Sequence, residues 1–302
     1  MSANIEIACD REEWLETRYS SIGGSEAASV LDVDPYRSAH QLWCEKTRRI
    51  EPKPATWRMN LGIRMESVIR DMAVEQTGYE LESSAPYTIH RHRDYPWLTA
   101  SLDAKILPID ERGPGVMQIK NVHGRLAHLW EDGQIPLHVQ VQVQHEMFVS
   151  DLMWGLVVAF VGGDELLIRP VERNMRFISA MFEKEREFWE LVENDTPPPV
   201  DGSESCRESL RILHPFGDPN ENSVELPEEF DGMDKRLAEI NKQLDALEDE
   251  KTLIKNRITA ALGDATYGIL PGGGRWRRKW IRKQIPAKEA YVSEYPDLRR
   301  IK

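Results

Sequence analysis

The sequence predicts a mixed α/β fold over residues 1–200, in which helices flank a central mixed sheet. Amphipathic helical stretches alternate with short extended runs in this part of the chain. Turn-forming residues, mainly Gly, Pro and Asp, separate the runs. The chain has 302 residues, of which 40% are hydrophobic and 30% are charged. This composition is sufficient for one large core domain with an appendage.

The individual elements follow from periodicity and from turn signals. The predicted helices cover residues 25–30, 38–48, 60–77, 136–150 and 174–194. The third helix ends at Gly78, a residue type that commonly terminates helices. The predicted strands cover residues 86–92, 97–103, 104–109, 116–120, 154–161 and 165–171. The turn-rich segment 110–115 predicts a hairpin between the third and fourth strands, and Gly162-Gly163 joins the last two.

Three further segments follow the predicted core. Residues 201–226, after a run of three prolines, are polar and predict a linker. Residues 227–263 predict one long helix with a heptad pattern. The heptad positions are Leu237, Ile240, Leu244, Leu247, Lys251, Ile254, Ile258 and Ala261. This pattern fits self-association through a coiled coil, and it equally fits a helical hairpin packed on its own core.

Residues 264–302 form a basic tail. They contain ten Lys and Arg against four Asp and Glu, so the tail carries a charge of +6. Because the net charge of the whole chain is −12, residues 1–263 carry −18. Within the tail, Trp276 and Trp280 alternate with basic residues, namely Arg275, Arg277, Arg278 and Lys279. Basic groups contact phosphates and indoles stack on bases, so this segment is a candidate DNA-binding surface. The alternative is a solvated amphipathic edge whose tryptophans pack inward.

Several classes of protein are disfavoured by the sequence. No apolar run reaches the roughly 18 to 20 residues of a membrane span, and the first residues lack a signal-peptide pattern. The three cysteines, Cys9, Cys44 and Cys206, form no CxxC pair, so we expect a reducing cytoplasm rather than a disulfide framework. The histidines do not have the spacing of a zinc motif; these are His123, His128, His138 and His145.

One set of residues carries candidate chemistry. Glu66 lies on the predicted helix 60–77, Asp103 ends a predicted strand, and Gln118-Ile-Lys120 lies on a following strand. Strand alternation places Gln118 and Lys120 on one face and buries Ile119 on the other. Carboxylates on neighbouring strands can hold Mg²⁺, which polarises a phosphate and activates water, and a Lys supports the developing charge.

The motifs around these residues occur in a characteristic order. They are Ile22-Gly-Gly-Ser-Glu-Ala-Ala28, Asp34-Pro-Tyr36, Gly62-x-x-x-Glu66, Trp97-Leu-x-Ala-Ser-Leu-Asp103 and Gln142-Val-Gln-His-Glu-Met147. From about residue 18 to residue 150 the chain resembles the YqaJ-type viral recombinases and lambda exonuclease. The tail, with Tyr295-Pro-Asp-Leu298, is also similar to that family.

The resemblance implies a restriction-endonuclease-like PD-(D/E)XK core and 5′-to-3′ digestion of double-stranded DNA from free ends. It implies Mg²⁺ as the cofactor, with Mn²⁺ as a second acceptable ion. Glu66, Asp103, Gln118 and the carbonyl of Ile119 would bind the metal, and Lys120 would be catalytic. Such proteins form ring-shaped homotrimers and act beside a single-strand annealing protein. The expected location is the cytoplasm of a bacterial host, with a phage or prophage as the source.

The family also implies a pocket for the 5′-phosphate, which in this chain would contain Arg18, Ser25, Ser101 and Gln142. An Arg fork and hydroxyl groups suit a terminal phosphate. The alternative for the first two residues is a surface ion pair for Arg18 and a helix N-cap for Ser25.

One departure concerns position 118, where the family has Glu and this chain has Gln. A Gln carbonyl can ligate Mg²⁺ but adds no negative charge. Three explanations are open: an inactivated variant, an active enzyme that tolerates Gln, and an inactive DNA-binding relative. The alternative functions are therefore a non-catalytic DNA-end-binding or assembly protein, and an endonuclease of the same fold.

Overall fold

The computed structural model describes residues 4–7, 10–51, 54–82, 85–108, 110–214, 223–279 and 281–282. The chain divides into two compact units, Met1–Pro215 and Phe216–Lys302. No helix among the described residues is both long and apolar enough to cross a membrane.

The first unit is an α/β domain. Its described strands are β1 (Asn4–Ile7), β2 (Ile22–Gly23), β3 (Leu81–Glu82), β4 (Thr88–Arg91), β5 (Leu98–Ala100), β6 (Ala104–Ile106), β7 (Gly115–Val122), β8 (Trp154–Val161) and β9 (Glu165–Glu172). Its α-helices are α1 (Arg11–Tyr19), α2 (Gly24–Val30), α3 (Ala39–Lys46), α4 (Trp57–Thr77), α5 (Leu137–Ser150), α6 (Met175–Glu193) and α7 (Glu204–Leu213). Two short 3₁₀ turns, Gly124–Leu129 and Glu131–Gly133, precede α5.

The larger sheet has the order β3-β6-β7-β8-β9, in which β7 and β8 are parallel and the other pairs are antiparallel. Helices cover both faces, so β8 is almost continuously apolar, as expected for a strand buried on both sides. Ile69 of α4 packs with Met117 and Ile119 on one face. Val143 of α5 packs with Val116 on the other. Since side chains alternate along β7, the even-numbered positions of this strand lie on the α5 face.

The smaller sheet has the order β1-β4-β5-β2. The predicted strand 97–103 is corrected here: β5 ends at Ala100, and β6 begins at Ala104 in the other sheet. The chain crosses between the two sheets at residues 101–103, so these residues have no ladder partner. Asp103 therefore lies at the junction of the sheets, beside β7, and not at the end of a strand.

The other predicted helices and strands of this unit are present, with ends shifted by a few residues. The helix at 57–77 ends at Gly78 in the left-handed conformation, as predicted. Two elements before residue 20, β1 and α1, were not predicted. The predicted strand 104–109 ends at Ile106, and Ile109 and Cys9 lie outside the described residues.

The predicted linker 201–226 contains an unpredicted helix. α7 begins at its N-cap Ser203, and two of its serines contact the region of α3. Ser205 Oγ accepts a hydrogen bond from the Ser38 backbone N–H at 2.9 Å, and Ser209 Oγ lies 2.9 Å from His40 Nδ1. This helix packs through these serine hydroxyls and through Cys206 and Leu213, and its many polar residues explain why its composition resembled a linker. Residues 215–222 lie outside the described residues.

The second unit contains one long helix, α8 (Glu229–Leu262), and a hairpin of β10 (Tyr267–Ile269) and β11 (Arg275–Arg277). Apolar heptad residues such as Leu237, Leu244 and Leu247 are exposed. No second helix of a helical hairpin occurs among the described residues of this unit. Trp280 and residues 283–302, including the motif at 295–298, lie outside the described part of the chain.

Candidate active site

Asp103 is held against β7 by two donors. Its Oδ2 accepts a hydrogen bond from the Ile119 backbone N–H at 2.7 Å and another from Gln118 Nε2. Burial raises the pKa of Asp103, although Lys120 and the two hydrogen bonds oppose this rise. The predicted neighbours Asp103, Gln118, Ile119 and Lys120 are therefore brought together by the sheet junction.

Gln142 lies on α5, opposite the polar face of β7. Its Oε1 accepts a hydrogen bond from Lys120 Nζ at 2.8 Å, and its Nε2 donates to Gln118 Oε1 at 3.0 Å. The same Nε2 donates to Glu146 Oε1 at 2.8 Å, one turn along α5. One amide thus connects both polar residues of β7 with an acid on the facing helix.

Glu146 is a buried acid that the sequence-based prediction missed. Burial and the nearby charge of Asp103 raise its pKa to about 8. Its Oε2 is buried and has no hydrogen-bond partner among the residues that the structure describes. A Cβ atom on Gly24 would lie 3.0 Å from the Glu146 side chain, so α2 closes over this acid. The available signal was its spacing of four residues from Gln142 on a helix.

Glu66 on α4 faces the same region from the other side. It lines a cleft of ≈ 510 Å³ together with Trp14, Arg70, Tyr87, Ser101 and Asp103. Burial and the charge of Asp103 raise the pKa of Glu66. Two acids with raised pKa values on one cleft are an unfavourable arrangement that a cation would relieve.

This donor set fits a divalent cation with oxygen ligands. The carboxylates of Glu66 and Asp103, the Gln118 amide oxygen and the Ile119 carbonyl are of the type that Mg²⁺ prefers. Among the described residues, no group of three or more His, Cys, Asp or Glu side chains is placed to share a metal ion. The described residues therefore offer two candidate carboxylate ligands, Glu66 and Asp103, and Gln118 adds an uncharged amide beside Asp103.

The structure brings only some of the residues predicted for a 5′-phosphate pocket close together. Ser101 Oγ lies 3.5 Å from Trp14 Nε1, and the Arg18 guanidinium lies 4.8 Å from the Trp14 ring centre. The Trp14 ring thus bridges Arg18 and the cleft. The Ser25 side chain is exposed, and it is not the N-cap of α2, because Gly23 occupies that position. Gln142 contacts Lys120 and Gln118.

Arg18 belongs to a buried charge cluster around Glu26. Glu26 Oε1 accepts from Arg18 at 3.1 Å, and Oε2 accepts from Lys46 Nζ at 2.6 Å and from the Gly23 N–H at 2.8 Å. The Arg37 guanidinium lies 4.0 Å from Glu26 Oε1 and also forms an ion pair with Glu45. Burial alone would raise the pKa of Glu26, but the three cations hold it well below its usual range. The Gly-Gly-Ser-Glu motif of the sequence contains Glu26, but it did not predict that Glu26 is the centre of a charge cluster.

The basic residues of the tail lie on the hairpin of the second unit. Arg275 and Arg277 lie over Tyr267, with guanidinium-to-ring distances of 5.5 and 5.9 Å. Arg278 donates to the Gly263 carbonyl at 2.8 Å, and Trp276 is 43% exposed. Arg275 and Arg277 share one face of β11, which leaves the Trp276 indole on the other.

The part of the chain that contains the site is similar to known proteins. Residues 13–153 match the YqaJ-like viral recombinase domain. The protein YqaJ of Bacillus subtilis (strain 168) is 25% identical over 308 residues, which cover 99% of this chain and 92% of YqaJ.

Two solved structures are also similar. That of LHK-Exo in complex with dAMP has a TM-score of 0.51 and 18% identity, and it covers 61% of this chain and 93% of that one. The structure of the alkaline exonuclease LHK-Exo from Laribacter hongkongensis gives a TM-score of 0.49 and 17% identity over the same shares. The first of these supports the predicted PD-(D/E)XK fold class. Residues 13–153 of this chain therefore match the YqaJ-like viral recombinase domain, and the chain has a mixed α/β core similar in fold to that of LHK-Exo.

Proposed function

We propose that this protein is a Mg²⁺-dependent exonuclease that digests double-stranded DNA from free 5′ ends, with Mn²⁺ as a second acceptable ion. The observation that carries the proposal is the convergence of Glu66, Asp103, Gln118 and Lys120 in a YqaJ-like domain. A bound divalent cation would polarise the scissile phosphate and lower the pKa of a water molecule.

The chain's own residues would divide the remaining work. Glu66 and Asp103 supply negative charge, and the Ile119 N–H fixes the orientation of Asp103. Lys120 extends from β7 on the same face as Gln118, where its ammonium would stabilise charge that develops on the phosphate. Buried carboxylates with raised pKa values are poised for such a role, because a cationic ligand favours their charged form.

A 5′-phosphate pocket accounts for the preference for ends. We infer that Arg18, Ser25, Ser101 and Gln142 contribute to it, with Trp14 between Arg18 and Ser101. The cluster around Glu26 contains three cations and two acids, Glu26 and Glu45, so it retains one unit of positive charge. This surplus favours an anion next to Arg18, the cation of the cluster that is one-third exposed.

The second unit is a separate candidate for contacts with DNA. We propose that Arg275, Arg277, Arg278 and Lys279 contact phosphates, and that the exposed face of Trp276 lies against bases. The resemblance to lambda exonuclease supports a ring-shaped homotrimer, a single-strand annealing partner and action in the cytoplasm of a bacterial host.

The decisive experiment is digestion of linear, 5′-phosphorylated double-stranded DNA with Mg²⁺, comparing the chain with its Gln118→Glu variant. We expect Gln118→Glu to be the faster, because it adds a third carboxylate. If both digest DNA, Gln118 is tolerated and two carboxylates suffice. If neither digests DNA but both shift linear DNA in a gel, the nuclease proposal fails and the DNA-end-binding alternative replaces it.

Two controls separate the remaining alternatives. Closed circular DNA should resist an exonuclease, whereas an endonuclease of the same fold would cut it. Equal rates on phosphorylated and unphosphorylated ends would contradict the phosphate pocket while leaving the nuclease assignment intact.

A further inference from the structure

The hydrogen bonds between Lys120 and Asp103 run in one direction through two amides. Lys120 is an ammonium and can only donate, so the Gln142 oxygen must face it. The Gln142 nitrogen must then face Gln118, which in turn receives this bond on its oxygen. The Gln118 nitrogen is left to face Asp103, an acceptor when ionised. The chemistry of the two ends therefore sets the orientation of both amides.

In this orientation the amide nitrogen of Gln118, which cannot ligate a cation, lies beside Asp103. Only its Oε1 could ligate a cation, and that atom faces Gln142 Nε2 at 3.0 Å. The amide nitrogen instead donates to Asp103 Oδ2, one of the two carboxylate oxygens that could ligate the cation. A Glu at this position would not have the problem, because its two oxygens are equivalent.

Turning Gln118 alone would create a conflict. Its nitrogen would then face the Gln142 nitrogen, so two donors would meet and one bond would be lost. Turning Gln142 as well restores that bond but directs its nitrogen at Lys120, another donor. Lys120 must then leave Gln142. The Gln142 oxygen would come to face Glu146 Oε1, so Glu146 must carry a proton to keep its bond with Gln142.

We propose that Gln118 and Gln142 form a coupled amide relay, in which presentation of the Gln118 oxygen to a divalent cation requires Gln142 to turn and Lys120 to be released. Gln142 is thus a positioning residue that acts through Gln118. The inference rests on the proposed function, since it assumes a cation at Asp103. It gives Gln142, on α5, the role of setting which atom of Gln118 faces the cation.

A double-mutant cycle on Mn²⁺ binding tests the relay. Calorimetry would give the Mn²⁺ dissociation constant for the full chain, Gln118→Glu, Gln142→Met and the double variant. Methionine keeps the length of the side chain and removes its hydrogen bonds. With Gln118 present, Gln142→Met should tighten Mn²⁺ binding about five- to tenfold, the equivalent of one ordinary hydrogen bond. With Glu at 118, the same change should leave binding unchanged or weaker.

The two proposals fail in different ways. If no variant binds Mn²⁺ and Gln118→Glu does not digest DNA, the proposed function fails and the relay fails with it. If Gln118→Glu binds Mn²⁺ and digests DNA, but Gln142→Met has the same effect in both backgrounds, only the relay is overturned.

A second measurement uses the unaltered chain, so it does not depend on the folding of a variant. In ¹⁵N spectra, the side-chain amide signals of Gln118 and Gln142 should shift together as Mg²⁺ is added, although Gln142 does not touch the cation. The amide signal of Gln144, which donates to the Glu172 carbonyl at 2.8 Å, is a control on the same helix and should not shift. A shift of Gln118 without Gln142 would overturn the relay.

Discussion

Glu26 and Glu146 are both buried acids of one domain, yet their pKa values move in opposite directions. Glu26 is surrounded by Arg18, Arg37 and Lys46, which hold its pKa well below the usual range despite burial. Glu146 has the Gln142 amide as its hydrogen-bond partner, and burial and Asp103 raise its pKa to about 8.

The difference separates a structural cluster from a reactive one. In the Glu26 cluster the acid's two oxygens contact cations or a backbone N–H, so the charges compensate each other. Around Asp103, three acids have raised pKa values although Arg70 and Lys120 lie near them, and Lys120 is held by a neutral amide. An arrangement with uncompensated acids is unfavourable in the free protein and becomes favourable when a cation binds.

The largest effect should come from breaking the Glu26 cluster. Glu26→Gln leaves Lys46 and two arginines without their shared counter-ion, which should lower the free energy of unfolding by about 3–5 kcal/mol. Urea denaturation measures this change. The exposed pair Lys184–Glu187 supplies the control, because Glu187→Gln should cause no measurable loss. Equal losses in both variants would contradict the structural role of Glu26.

The next effect concerns the reactive cluster. Lys120→Met should slow DNA digestion about 10²- to 10³-fold, as expected for the loss of one group that stabilises developing charge. The unfolding free energy should change little, because Lys120 is only half-buried and has an amide as its partner. Digestion rates should be compared in the more active background at position 118. A stability loss as large as that of Glu26→Gln would mean that Lys120 belongs to a structural cluster.

A smaller effect is expected at Arg18, which we propose contributes to a 5′-phosphate pocket. Arg18→Ala should reduce the preference for 5′-phosphorylated ends about tenfold, which is the value of one charged hydrogen bond. Competition between phosphorylated and unphosphorylated duplexes of the same sequence measures the preference. If the preference persists, Arg18 serves only as a partner of Glu26.

A fourth effect is on the pH dependence of stability. The pKa of Glu146 rises from 4.5 to about 8 on folding, so the unfolded chain loses this proton first. Stability from this group is therefore present below about pH 4.5 and is lost as the pH rises towards 8. Glu26 has the opposite sign: its contribution is present above pH 4.5 and is lost in acid.

Urea denaturation between pH 5 and 8 tests this difference. Relative to Glu146→Gln, the unaltered chain should lose stability as the pH increases. Parallel curves for the two proteins would show that Glu146 is ionised in the folded chain across this range.

Much of the fold could be predicted because it depends on local patterns. The helix 57–77 and its Gly78 terminus, the apolar strands β7 and β8 and the long helix α8 all follow from periodicity and end signals. The ordered motifs also led to Glu66, Asp103 and Gln118-Ile-Lys120 as one candidate site. α7 was missed because its apolar stripe is short, consisting of Cys206, Leu210 and Leu213, and lies in a polar segment that follows three prolines.

By itself, then, the sequence determined the fold class, most elements and the residues of β7 that carry candidate chemistry, because these are read from short-range spacing. Only the tertiary structure decided the partners of the buried polar groups. Lys46 meets Glu26 from another helix, and Gln142 meets Lys120 across the space between α5 and β7. Such pairs depend on which faces of distant elements come together. A buried polar group must find a partner there, and no local pattern specifies which one.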